Sequence, residues 1–152
     1  MGTQEFGRVV GNEGSGTGLF ALTMEAPVLC MQAQPGQFVH ITCGDGNLLR
    51  RPISICNVEQ DSMTVVFQVK GDGTLWLSRR REGDMLDVLG TLGHGFRMEQ
   101  LGSRPVFIGG GIGVPPMLMT MQAAKENGAQ PEAILGFRNR NVVILEDAFR
   151  AL

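Results

Sequence analysis

The sequence predicts a mixed α and β fold in two parts: a small antiparallel barrel or sandwich, then a β-α-β-α unit with a parallel sheet. Up to Leu89, short apolar runs alternate with turn residues, which is typical of antiparallel strands. From Arg104 onward, two continuous apolar runs are each followed by a helical pattern. That order implies parallel strands joined by right-handed crossovers.

Six strands and one short helix are predicted in the first part. The clearest strand covers residues 62–70, where Met63, Val65 and Phe67 fall on one side and polar residues fall on the other. A helical pattern over residues 75–80 follows it. The predicted strands are, in order, residues 7–10, 19–24, 38–43, 50–55, 62–70 and 85–89.

The composition limits the classes of function. The 152 residues carry a net charge of −2 and no basic run, so a nucleic-acid partner is not expected. Neither a membrane-spanning stretch nor the pattern of a signal peptide is visible, so we expect a cytoplasmic protein without membrane contact. The three cysteines (Cys30, Cys43 and Cys56) are widely spaced and form no CxxC pair, so no metal site is expected.

Residues 50–55 set two cations, a proline and a hydroxyl into an apolar run. Pro52 restricts this segment to an edge, a strand start or a bulge. Arg51 offers a planar fork that matches phosphate oxygens, and Ser54 adds a hydroxyl. Taken alone, the segment is better explained as an edge strand with solvated arginines. Because neighbouring strand residues face opposite ways, Arg51 is the predicted ligand and Arg50 is assigned to solvent or a partner surface.

Residues 71–74, Gly-Asp-Gly-Thr, lead directly into the predicted short helix. A glycine loop at a helix start presents free N–H groups, which is a common way to bind an anion. We therefore expect the amides of Gly73 and Thr74 to hold a pyrophosphate from one side. Arg51 and Ser54 would hold it from the other side. The alternative is an ordinary capped helix after a turn.

The second part begins with a continuous apolar run that is typical of a strand buried on both faces. A glycine-rich loop follows and leads into a helix, which together indicate a dinucleotide phosphate site. The usual Gly-x-Gly-x-x-Gly fingerprint is not met, because Val114 occupies its third glycine position. The predicted elements are strands over residues 105–108 and 131–137 and helices over residues 117–126 and 145–152.

These motifs, in this order, resemble the ferredoxin–NADP reductase superfamily. The resemblance rests on Arg-Pro-Ile-Ser at 51–54, Gly-Asp-Gly-Thr at 71–74 and Gly-Gly-Gly-Ile-Gly-Val-Pro-Pro at 109–116. With residues 87–96 and 135–138 added, the chain is similar within that superfamily to the electron-transfer subunits of NAD-dependent dihydroorotate dehydrogenase. The resemblance covers nearly the whole chain.

The resemblance implies an FAD-binding antiparallel Greek-key β-barrel of the ferredoxin reductase type over residues 1–98. The first half of a parallel, NAD-binding α/β domain would follow over residues 99–152. The implied FAD contacts are Arg51, Pro52, Ile53, Ser54, Val66, Phe67, Gln68, Gly73 and Thr74. The residues expected to contact the nicotinamide nucleotide are Gly109, Gly110, Gly111, Ile112 and Gly113.

The resemblance also implies an electron relay in pyrimidine biosynthesis. NAD(H) would be the substrate, FAD the cofactor, and a dihydroorotate dehydrogenase catalytic subunit the partner. Because the flavin carries the chemistry, no catalytic acid, base or nucleophile is predicted. The family's [2Fe–2S] cluster is ligated by a cysteine-rich segment that these 152 residues lack, so no cluster ligand is expected here.

Length is the main departure from the family. Half a nucleotide domain would leave the NAD(H) site incomplete, with an unpaired strand edge and an uncovered apolar face. Two alternatives remain open: a reductase component of another ferredoxin-reductase-like system, and a truncated FAD-binding fragment without catalytic function.

Overall fold

A computed structural model describes residues 2–152. Its first part is a closed barrel of six antiparallel strands in the order β1-β2-β5-β4-β3-β6. Strands that are distant in the sequence become neighbours, as a Greek-key connection requires. This part of the predicted fold is confirmed. The strands are β1 (Thr3–Gly14), β2 (Leu19–Glu25), β3 (Phe38–Ile41), β4 (Arg51–Glu59), β5 (Ser62–Gln68) and β6 (Met85–Leu92).

Strand β5 shows how the alternating sequence builds the barrel. Met63, Val65 and Phe67 point inward and are buried, as predicted, whereas Gln68 is exposed at the strand end. Val66 breaks the alternation because it points outward and is also buried. Its cover comes from the second part of the chain, which packs against the outside of the barrel.

Two short helices belong to the barrel. Helix α2 (Asp72–Ser78) follows β5, close to the range predicted for it. Helix α1 (Pro27–Gln32) was not predicted, because it has only six residues and Ala26 at its N-cap makes no side-chain cap. Pro27 in its first turn is the one local sign of it, since proline is favoured there.

The second part is a two-stranded parallel sheet with one main helix. The predicted β-α-β-α order is confirmed, and Ile108 lies opposite Ile134 in the sheet. The main helix ends before Gly128, whose φ of +84° marks a left-handed stop. The elements are β7 (Val106–Gly110), α3 (Pro115–Glu126), β8 (Glu132–Gly136) and α4 (Glu146–Arg150).

Within residues 2–152, only one face of this sheet is covered. Phe107, Ala133 and Leu135 pack toward the helices, whereas Ile108 is 73% exposed and Ile134 is 58% exposed on the other face. The prediction that β7 is buried on both faces is therefore wrong. The uncovered apolar face was expected and is confirmed within residues 2–152.

The two parts share a buried cluster. Cys56 and Val66 on the outside of the barrel pack with Val114, Leu118 and Phe149. Helix α3 lies against β4, so this contact fixes the second part beside the strand that carries Arg51. Among residues 2–152, none of the helices has both the length and the apolar character needed to cross a membrane.

Candidate functional site

The site lies where two neighbouring barrel strands separate. Strands β4 and β5 pair from Glu59↔Ser62 up to Ile55↔Val65, and their pairing ends there. The start of β4, Arg51–Ser54, and the end of β5, Val66–Gln68, are therefore not paired with each other, and we call this unpaired stretch of the barrel wall the gap. Both segments keep their other neighbours, β3 and β2. Backbone groups on the two facing edges are thus left to bind something other than each other.

Pro52 suits this position. It lies opposite His40 of β3 and one residue into β4. The missing N–H does no harm beside an open edge, which matches the edge or strand-start position predicted from the sequence.

Arg51 is held at the mouth of the gap. Its Nη1 donates to the Leu49 carbonyl at 2.6 Å, and its Nη2 donates to Asn47 Oδ1 at 3.0 Å. A guanidinium has five N–H donors, so these two bonds leave three for a ligand. The Asn47 contact was not foreseen, since a loop side chain four residues before a strand carries no pattern that marks it as a partner.

Gly73 lies directly against the Arg51 guanidinium. A Cβ at Gly73 would clash with Arg51 Nε and would lie 2.9 Å from Arg51 Cζ. Glycine is needed here for close approach and not for an unusual φ. The structure therefore brings together Arg51 and Gly73, the two groups predicted to hold opposite sides of a pyrophosphate.

Near the start of α2, the Thr74 hydroxyl turns back to the preceding backbone. Thr74 Oγ1 accepts from the amides of Lys70 at 2.9 Å and Gly71 at 3.2 Å, so this hydroxyl caps the loop. Within residues 2–152, the amides of Asp72, Gly73 and Thr74 donate to no protein acceptor. Thr74 can therefore contribute to a ligand through its backbone and not through its hydroxyl.

Most of the remaining predicted flavin contacts have buried side chains. Ile53 and Phe67 face the barrel core, where the Phe67 ring stacks on Phe20 with centroids 5.8 Å apart. Val66 lies under the second part of the chain, and Ser54 is half-buried. These positions therefore present backbone groups to the gap more than side chains.

For Arg50, the solvent alternative predicted from the sequence is wrong. Arg50 is not left to solvent, because its Nη2 forms an ion pair with Asp87 Oδ2 at 2.6 Å. Burial acts to raise the pKa of Asp87, but hydrogen bonds from Gln4, Arg50 and Thr42 outweigh it and lower that pKa. Strand alternation correctly separates the two arginines. It could not reveal a partner 37 residues away.

Helix α2 is fixed at its far end by Asn12. The Nδ2 group of Asn12 donates to the carbonyls of Leu77 at 3.1 Å, Ser78 at 3.2 Å and Arg80 at 3.0 Å. Trp76 packs on Gly44 and lies 3.8 Å beneath the Arg80 guanidinium. The element that carries Gly73 is therefore anchored to β1 and to the loop after β3.

The glycine loop of the second part lies against β5. Gly109 leaves room for Met117, whose Cε would lie 2.5 Å from a Cβ there. Gly111 has a φ of +53°, which favours glycine. These positions are exposed or half-buried, and Ile112 is exposed as well.

The start of helix α3 offers few donors for a phosphate. Pro115 and Pro116 have no N–H, and the amides of Val114 and Met117 already donate to the carbonyls of Gly111 and Val114. A phosphate cradle here would rest on the backbone of residues 109–113 and not on the helix end that the sequence pattern suggested.

The cysteines do not suit an iron–sulfur cluster. Cys30, Cys43 and Cys56 are all buried free thiols. Burial raises the pKa of Cys30 to about 11 and that of Cys56 to about 12, and it raises the pKa of Cys43 against the opposing charges of Arg51 and Arg80. Ligation of a cluster requires thiolates, so these three thiols are poor ligands for one.

The barrel, its gap and the attached α/β unit define the class of the fold. It is the fold of ferredoxin reductase-like proteins, with a six-stranded antiparallel barrel followed by part of a parallel α/β domain. A solved NADH-dependent reduced ferredoxin–NADP oxidoreductase, studied for flavin-based electron bifurcation, superposes with a TM-score of 0.86 at 29% identity. That match covers 98% of this chain and 54% of the other.

The particular relatives are electron-transfer subunits. The chain is 42% identical over 140 residues to the dihydroorotate dehydrogenase B (NAD(+)) electron transfer subunit of Bacillus mycoides (strain KBAB4) and, equally, to that of Bacillus cereus (strain B4264). The resemblance found in the sequence is thereby confirmed. Each match covers 88% of this chain and 54% of the relative, so the chain spans about half the length of these curated relatives. No protein-family model matches it.

Proposed function

We propose that this chain supplies the FAD-binding part of an electron-transfer subunit that relays electrons between NAD(H) and a dihydroorotate-oxidising partner. The observation that carries the proposal is the gap between β4 and β5, with Arg51 and Gly73 in contact at its mouth. The sequence similarity to dihydroorotate dehydrogenase electron-transfer subunits supports the choice of relay and partner.

The residues at the gap fit the pyrophosphate of FAD. Arg51 has three N–H groups to spare, and the amides of Gly73 and Thr74 donate to no protein acceptor within residues 2–152. Charge-assisted hydrogen bonds from a guanidinium and from backbone amides are the usual way to bind such a group. Ser54 and the backbones of Pro52 and Ile53 would line the flavin from β4.

The end of β5 would line the opposite side through Val66, Phe67 and Gln68. Phe67 and Ile53 are fixed in the barrel core, so the edges they present are rigid. Rigid edges orient a ligand at little entropic cost.

When bound, FAD supplies the hydride and electron transfer, and the protein binds, orients and shields it. No acid, base or nucleophile of the chain is assigned a step. His40 lies in β3, where its ring meets that of Phe38 at a centroid distance of 5.5 Å, which suits a structural role.

We propose that Gly109, Gly110, Gly111, Ile112 and Gly113 contribute to a nicotinamide nucleotide site. Their loop lies against β5, which would bring a bound nucleotide toward the flavin gap. Because residues 2–152 leave one face of the β7–β8 sheet open, we propose that further groups are needed to complete this site. We place the boundary between the FAD-binding and nucleotide-binding parts near residue 98.

A second candidate is a reductase component that serves another acceptor. The similarity to an NADH-dependent reduced ferredoxin–NADP oxidoreductase favours it, since that protein shares the fold at 29% identity. Reconstitution separates the two candidates: electron transfer to a dihydroorotate-oxidising subunit supports the first, and transfer only to a ferredoxin supports the second.

The test of the FAD site is Arg51→Ala. Loss of a charged hydrogen-bond donor should weaken FAD binding by about 1.5–3 kcal/mol, measured by titration calorimetry. Arg97→Ala, at an exposed arginine outside the gap, is the control and should leave the affinity unchanged. Equal FAD affinity in Arg51→Ala and the wild type would remove Arg51 from the site.

A further inference from the structure

Arg50, just before β4, and Arg51, its first residue, make opposite kinds of contact. Arg50 is bound to Asp87, while Arg51 keeps free donors at the gap. We propose that the Arg50–Asp87 ion pair is a positioning device that sets the direction of Arg51 toward the FAD pyrophosphate. The inference rests on the FAD site described under Proposed function and adds Arg50 and Asp87 to it as positioning residues.

The Asp87 carboxylate gathers three separate segments of the barrel. Oδ1 accepts from Gln4 Nε2 of β1 at 2.7 Å, and Oδ2 accepts from Thr42 Oγ1 at 3.1 Å as well as from Arg50. Arg50 Nη1 also donates to the backbone carbonyl of Asp87 at 3.2 Å. The Arg50 guanidinium therefore donates to both the side chain and the backbone of one β6 residue. These two bonds fix the orientation of the guanidinium.

This ion pair is more enclosed than an ordinary surface pair. The Arg50 and Asp87 side chains are 26% and 24% exposed, whereas those of Arg8 and Glu25, another barrel pair, are 52% and 44% exposed. Exposed pairs contribute little because water screens them. The Arg8–Glu25 pair, at 2.7 Å, is thus a matched control of the same chemistry without the enclosure.

The location explains why β4 needs such an anchor. At Arg51 the strand pairs with Ile41 of β3, and its other edge faces the gap. One ladder alone leaves the strand start free to twist about β3. A fixed Arg50 removes that freedom, and strand alternation then directs Arg51 to the opposite side, against Gly73.

A double-mutant cycle tests the coupling. Arg50→Ala, Arg51→Ala, the double variant and Arg8→Ala are titrated with FAD and with riboflavin, which lacks the pyrophosphate. Arg51→Ala should raise the FAD Kd about 10- to 150-fold, and Arg50→Ala should raise it by a similar factor. The double variant should be no worse than Arg51→Ala, because the first residue acts through the second. All four variants should bind riboflavin with the wild-type Kd. Arg8→Ala should also bind FAD with the wild-type Kd.

Several results would overturn the proposal. Losses that multiply in the double variant, an equal loss for riboflavin, or an unchanged FAD Kd in Arg50→Ala would each show that Arg50 does not act through Arg51. Asp87→Asn is the second variant. It keeps the shape of the side chain and replaces the test if Arg50→Ala folds poorly. Asp87→Asn should then raise the FAD Kd by the factor expected for Arg50→Ala.

A readout without FAD separates this proposal from the proposed function. The Gly73 amide resonance reports the guanidinium that lies against it. In the ligand-free protein, Arg50→Ala should move that resonance in the same direction as Arg51→Ala, and Arg8→Ala should leave it in place. An unmoved Gly73 resonance in Arg50→Ala contradicts the positioning role. A wild-type chain that binds no FAD contradicts the proposed function, and the Gly73 resonance then decides the positioning role alone.

Discussion

The barrel and the α/β unit are built from similar apolar strands but bury them very differently. In the barrel every strand has two neighbours, and Leu22, Ile55 and Leu86 are fully enclosed. In the α/β unit two strands carry one layer of helices, and Ile108 stays 73% exposed. Apolar character therefore does not decide burial by itself. The number of layers that close over a strand decides it.

This difference in burial also separates the two halves of the proposed site. The residues expected to hold FAD lie on the closed barrel, where their backbones are rigid. Those expected to contact the nicotinamide nucleotide lie on a loop of the open unit, next to a face that nothing covers within residues 2–152. Binding of FAD should therefore need only the barrel, and the following variants test how far that separation holds.

The largest effect is expected from a matched pair of isoleucine variants. Ile55→Ala in β4 should lower the free energy of unfolding by about 2–5 kcal/mol, because it opens a cavity in a closed core. Ile108→Ala in β7 should change it by less than about 0.5 kcal/mol. Urea denaturation measures both. A cost for Ile108→Ala as large as that for Ile55→Ala would mean that the second face is covered in solution, for instance by another copy of the chain.

A smaller effect is expected from two glycine variants, one in each part. Gly73→Ala places a methyl group against the Arg51 guanidinium and should displace it, which weakens FAD binding by about 1–2 kcal/mol. Gly109→Ala pushes on Met117 in the α/β unit and should leave FAD binding unchanged. Gly71→Ala is the control, since nothing lies within 4 Å of its added Cβ. Weaker FAD binding in Gly109→Ala would show that the two parts share the flavin site.

The cysteines report how independently the two parts open. Cys56 lies between the barrel and α3, whereas Cys43 lies inside the barrel core. If the α/β unit opens more readily, Cys56 should be alkylated about tenfold faster than Cys43, which corresponds to an opening free energy smaller by about 1.4 kcal/mol. Mass spectrometry after timed alkylation at pH 8 measures the rates. Equal rates would indicate that the two parts unfold together.

The smallest effect concerns Asp87 and pH. Its pKa in the folded protein is lowered, so the stability it contributes is complete above the unfolded value of about 3.9 and is lost as pH falls through the folded value. Above pH 5, Asp87→Asn should be less stable than the wild type by about 1 kcal/mol. That difference should shrink below pH 4 in thermal denaturation. A difference that stays constant down to pH 2 would contradict the ion pair.

The sequence predicted much of this fold because local patterns matched their final surroundings. The alternation of Met63, Val65 and Phe67 reported a barrel strand, and the β-α-β order reported a parallel sheet. Helix α1 escaped prediction because it is short and uncapped, so its packing and not its sequence makes it a helix.

Other features depend on contacts between distant segments. The outward residue Val66 is buried only because α3 covers it, and Arg50 is neutralised only because β6 brings Asp87 beside it. The contact of Arg51 with Gly73 was expected as two sides of one site, and the structure places them together. The separation of β4 from β5, which opens that site, carries no mark in the sequence beyond Pro52.

We infer that the barrel of this chain binds FAD at the gap between β4 and β5. The direct measurement is the flavin content of the purified 152-residue chain after incubation with FAD and removal of the excess by gel filtration. The wild-type chain should be yellow and retain FAD in equal molar amount, and an Arg51→Ala variant should lose most of it in the same step. A folded wild-type chain that emerges colourless would contradict the claim.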